Sequence, residues 1–123
     1  MSENPPILYA RLPDAASSAG YVVRGHTMGA IRDGWIVFIE NKQRPPGDHL
    51  LNELCVVETK AGENLIRYVR KGRRPGTWDL VTVTGPDMRD VPVVWAELVI
   101  LIQPHSLSGP EIEVLNQMDG VLG

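Results

Sequence analysis

The chain has 123 residues, of which 43% are hydrophobic and 22% charged, and a net charge of -3. These are the values of one globular domain, and they exclude disorder, a fibrous chain and a stand-alone non-specific nucleic-acid binder. The single cysteine, Cys55, forbids an internal disulfide. The unbroken apolar run Leu98 to Ile102, as long as any in the chain, is far too short to cross a bilayer. Met1 to Pro6 is polar and proline-bearing, unlike a signal or transit peptide. The expectation is a cytoplasmic domain with no membrane partner.

Ten prolines and twelve glycines interrupt the chain often, which favours short strands over long helices. Residues 1–20 read as an N-terminal arm, 21–104 as the domain and 105–123 as a tail. Tyr21 to Arg24 reads as a strand stopped by Gly25. Trp35 to Glu40 is a second strand, rich in β-branched and aromatic residues. Gln43 to Asp48, with Pro45, Pro46 and Gly47, is a turn. Leu54 to Thr59 and Leu65 to Arg70 form a hairpin around Ala61-Gly62-Glu63. Lys71 to Gly76 is a basic loop, and Asp79 to Thr84 a fifth strand that Gly85-Pro86 ends. Val91 to Ile102 supplies one or two strands, broken near Pro92. In the tail, Ser108 or Gly109 caps a helix with Glu111 in its first turn. Ile112, Leu115 and Met118 give that helix an apolar stripe, and Gly120 stops it.

The richest segment is Gly25-His26-Thr27-Met28, where a strand runs into glycine, a hydroxyl residue and methionine. Asp33-Gly34 and a second apolar strand follow. Further on stand Gly47-Asp48, then Leu65-Ile-Arg-Tyr-Val-Arg-Lys-Gly72, then Pro75-Gly-Thr-Trp-Asp-Leu80 and Val94-Trp-Ala96. In this order the pieces resemble the S24 peptidase family, the self-cleaving C-terminal domains of LexA-type and phage repressors. That family carries Gly-x-Ser-Met, Asp-Gly, Gly-Asp and Val-Lys-Arg-Leu. The resemblance covers about Tyr21 to Pro104. It implies a mostly β fold, a curved antiparallel sheet closing on itself as a barrel or packing as two sheets, with the short C-terminal helix added.

The departures fall on the chemistry. The resemblance puts the family's serine nucleophile at Thr27 and its lysine base at Arg67. A register slipped by one would put Ile66 there, but Arg67 keeps the strand's alternation. Isoleucine has no proton chemistry, and a guanidinium does not deprotonate in proteins. Lys71 lies about 13 Å along the strand from Arg67, and Lys60 sits at a turn. Gly25, His26 and Met28 would line the vestigial groove, with no residue expected to be catalytically active. An extended segment, such as Ile7 to Leu12, could occupy that groove as an added strand. Ala19-Gly20 resembles the family's scissile pair but lies too close to Thr27 to fold back, and reads as a loop end.

His26, His49 and His105 lack metal-ligand spacing, and neither metal nor cofactor is expected. Trp35, Trp78 and Trp95 read as core or rim packing. Arg70, Lys71, Arg73 and Arg74 form a basic cluster, either a solvated hairpin end or a contact for phosphate or an acidic partner. Val94, Trp95, Leu98, Ile100 and Ile102 are the expected surface of a homodimer, because so apolar an edge invites pairing. The functional expectation is a non-catalytic dimerisation and regulatory domain related to a bacterial or prophage repressor. It would reach DNA only through a domain not in this chain. The alternatives are an accessory protein that binds a protein partner, and a self-cleaving peptidase with a threonine nucleophile.

Overall fold

A computed structural model describes residues 17–117 and 122–123. Short β-rich segments separated by glycine and proline build two antiparallel sheets, as the composition implies. In the smaller sheet β1 (Ser18–Val22) pairs with β2 (Ile36–Glu40). The far side of β2 takes β8 (Leu101–Gln103). The larger sheet contains β3 (Leu54–Thr59), β4 (Asn64–Lys71), β5 (Trp78–Val81), β6 (Met88–Val91) and β7 (Val93–Leu98). Its order is β6-β5-β4-β3-β7, so β7 lies at one edge and β6 at the other. A 3-10 turn, Asp48–Leu50, precedes β3, and α1 (Gly109–Gln117) follows β8. The sheets remain two and do not close into a barrel, which selects the second of the two expected arrangements.

Strand alternation sorts the larger sheet's side chains into two layers. Val56, Ile66 and Trp95 face the smaller sheet and pack with Val23, Met28, Ile31, Val37 and Ile39. Cys55, Val57, Leu65, Val69, Leu80 and Ala96 face the other way, under Leu50 and Trp78. Trp78 and Trp95 are therefore core residues, with Trp35 packed against the core.

The largest differences from the expected boundaries each have a local reason. β1 starts at Ser18, because Ala19 and Gly20 pair with Ile39 and Phe38. A Cβ on Gly20 would stand 3.1 Å from the Phe38 ring, so glycine here admits a neighbour and does not end the strand. Ala19-Gly20 thus belongs to β1 and is not a loop end. β5 stops at Val81, since the Thr82 amide donates to Asp87 Oδ1 and the Thr82 hydroxyl to the Gly85 carbonyl. The Val91 to Ile102 stretch holds the end of β6, all of β7 and the start of β8, with Pro92 between the first two.

Ser108 is the helix cap. Its Oγ accepts from the Glu111 amide while its own amide donates to Glu111 Oε1. Residues 1–16 of the expected 1–20 arm, with Ile7 to Leu12 among them, and Met118, Gly120 and the Leu115 side chain lie outside the described residues. Among the described residues no helix is long and apolar enough to cross a membrane.

Candidate functional site

The β1–β2 ladder continues past its named ends, with the Val23 amide donating to the Trp35 carbonyl and Gly34 to Val23. Residues 24–33 are therefore a long hairpin loop, and Thr27 sits in it. Asp33 organises the loop by accepting from the Gly25 amide at 2.8 Å and from Arg24 Nε at 3.0 Å. The Gly25 amide, aided by Arg24 against partial burial, holds the Asp33 carboxyl below its ordinary value. Gly25 has φ +108, a left-handed geometry that a side chain would strain. Met28 is buried and anchors the loop to the core, and His26 is exposed.

Thr27 is fixed through its main chain. Its carbonyl accepts from the amides of Val83 and Thr84 at 2.9 and 3.0 Å, and the His26 carbonyl accepts from the Thr84 hydroxyl. The turn at 82–85 lies so close that a Cβ on Gly85 would stand 2.6 Å from Thr27 Cγ2. A cleft of about 260 Å3 opens beside this turn, between Asn52, Tyr68, Arg70, Val81, Thr82 and Val83.

Arg67 reaches the same turn from β4. The β4–β5 register ends at Tyr68 opposite Val81, so the chain leaving Val81 passes beside Arg67. Burial draws the guanidinium below its ordinary value, with the charges of Glu63 and Asp87 opposing. The ordinary value is so high that the group stays a cation. Nη1 donates to the Ile66 carbonyl and to the Gly123 main-chain oxygen, each at 2.8 Å. Nε is buried with no partner among the described residues. Ile66, the other register, is fully buried against the smaller sheet. Thr27 and Arg67 thus flank one turn, and among the described residues no hydrogen bond joins them.

No motif marks the group that holds Arg67. Leu122 is fully buried between the sheets; its amide donates to the Val22 carbonyl and its carbonyl accepts from the Arg24 amide. Gly123 donates to the Asn64 carbonyl, and its oxygen receives a longer bond from the Ile66 amide. Two residues therefore bridge the end of β1 and the start of β4. A leucine and a glycine carry no motif, and only the contacts of a distant strand edge reveal them.

The basic loop is built around an acid. Asp90 Oδ1 accepts from the Arg73 and Arg74 amides and the Thr77 hydroxyl. The Arg74 and Arg73 amides, first among these contacts, hold Asp90 below its ordinary value. Lys71 pairs with Asp48 at 3.2 Å. Burial pushes the Cys55 thiol up to about 12, so it is inert packing. No group of three metal-ligating side chains occurs among the described residues.

The residues expected at a dimer surface divide. Trp95 is buried in the core, while Val94, Leu98, Ile100 and Ile102 are exposed, joined by Leu101. β7 and β8 are edge strands of their two sheets, and Val99 and Ile100 bond to Leu54 and Phe38 as the chain crosses between them. No protein-family model, curated protein or solved structure matches the chain.

Proposed function

We propose that the chain is a non-catalytic dimerisation and regulatory domain of the S24 type, from or related to a bacterial or prophage repressor, acting in the cytoplasm. The observation that carries this reading is the state of Arg67. Serine–lysine hydrolysis needs a neutral amine to take the hydroxyl proton. At the corresponding position stands a permanent cation whose Nη1 is spent on two main-chain oxygens. The exposed apolar run along β7 and β8 supports the dimer, and contact with DNA falls to a domain outside this chain.

Raising the pH accelerates a serine–lysine dyad by deprotonating the lysine, whereas a guanidinium does not deprotonate in proteins and is unaffected. Intact mass after long incubation at pH 10, alone and with an activated recombinase filament, is expected to show one uncut species. A specific fragment that disappears in Thr27→Ala would establish a peptidase.

A further inference from the structure

Leu122 and Gly123 fill a gap between two strand edges. Both rims are strand edges that offer main-chain groups, Val22 and Arg24 on one side and Asn64 and Ile66 on the other. The floor is a fully enclosed leucine site among Val23, Met28 and Ile66. The far end is closed by Arg67 Nη1 on the Gly123 oxygen. A Cβ on Gly123 would stand 3.2 Å from Leu65 Cδ2, so the position after the leucine takes glycine most easily. This is strand addition with one apolar pocket, the mode by which sheet edges read extended peptides.

We infer that the gap between the ends of β1 and β4 is a peptide-docking slot, and that Leu122-Gly123 is its built-in competitor. The external ligand is an extended segment of a partner protein carrying a leucine-sized residue followed by glycine. Only residues 118–121 separate the tail from α1. A competitor carried on the same chain acts at about millimolar effective concentration. A partner therefore enters only at comparable concentration or once the tail is drawn away. The slot adjoins Arg67, so its filling or emptying changes what the guanidinium contacts. The inference rests on the tail's contacts and stands independently of any repressor origin.

Native-state hydrogen exchange of the full chain is the first test. A removable tail opens locally, so the Arg24 amide should exchange at least about tenfold faster than the slowest β3 amides. Equal rates would make the tail an integral strand and overturn the inference. The second test uses full-length Leu122→Asp, which weakens the competitor, and the synthetic peptide Met-Asp-Gly-Val-Leu-Gly. Saturable binding is expected, with restored protection at Arg24 and about tenfold weaker binding when the last glycine is alanine. The unsubstituted chain should bind the peptide at least tenfold more weakly than Leu122→Asp does. A folded Leu122→Asp that ignores the peptide would overturn the inference, as would an unfolded one, since the tail would then be needed for folding. Neither result bears on peptide-bond cleavage, which the pH 10 mass measurement decides separately.

Discussion

Thr27 and Gly85 are 58 positions apart and leave no room for a methyl group between them. The approach gives a sharp test of the site's packing. Gly85→Ala should destabilise the fold by about 1–3 kcal/mol, the usual cost of forcing extra atoms into a filled space. Thr27→Ser removes the Cγ2 nearest the new Cβ, so the double variant should recover part of that loss in urea denaturation. Additive losses would mean that Gly85 is needed for its backbone instead. Thr27 stood out in the sequence because glycine, hydroxyl and methionine fall together there. Gly85 read only as a strand terminator, because a close approach between distant segments has no local pattern. Strand alternation favours Arg67 over Ile66, but the burial of its Nε and its bond to the Gly123 oxygen are not legible in the sequence.

Among the elements, β7 carries an unusual load. Glu97 is only 2% exposed, and it accepts from the Arg44 amide at 2.7 Å and from Arg44 Nη2 at 2.7 Å. Burial pushes its carboxyl up, but the Arg44 side chain and amide outweigh this and leave it below its ordinary value of 4.5. A carboxylate with a lowered folded pKa contributes stability above that ordinary value and loses it as the pH falls through the folded one. Arg44→Gln should therefore lower the melting temperature by several degrees at pH 7. The gap to the unsubstituted chain should narrow steadily below pH 4.5 as Glu97 protonates in both. A gap independent of pH would remove the charge from the explanation. The strands themselves were largely readable. Leu54–Thr59 was found at both ends because its neighbours are turn formers and its residues are apolar or β-branched. The end of β5 was missed because Thr82 continues the alternation in sequence, while Asp87 takes its amide in space. α1 was found from Ser108 and Glu111, a reciprocal cap that is written locally.

At the scale of the molecule, the two sheets share one seam that is closed and one that is open. The closed seam is filled by Leu122-Gly123, which hydrogen-bonds to both sheets. The open seam runs along β7 and β8, where Val94, Leu98, Ile100, Leu101 and Ile102 are 37–48% exposed. The apolar run predicted this surface, since alternation cannot bury every residue of a continuous hydrophobic stretch at a sheet edge. The other seam escaped the sequence reading, which placed the last residues after a helix stop and gave them no partner. A second copy covering the open seam by two-fold symmetry is the arrangement such an edge favours. Sedimentation equilibrium at tens of micromolar is the most direct measurement of the proposed function, because dimerisation is the one activity that proposal assigns to a domain without a base. The expected result is a species of twice the 13.6 kDa chain mass, converted to monomer by Leu98→Asp with Ile102→Asp. A chain that sediments only as monomer at that concentration, well above the Kd of a standard-size interface, would contradict the account.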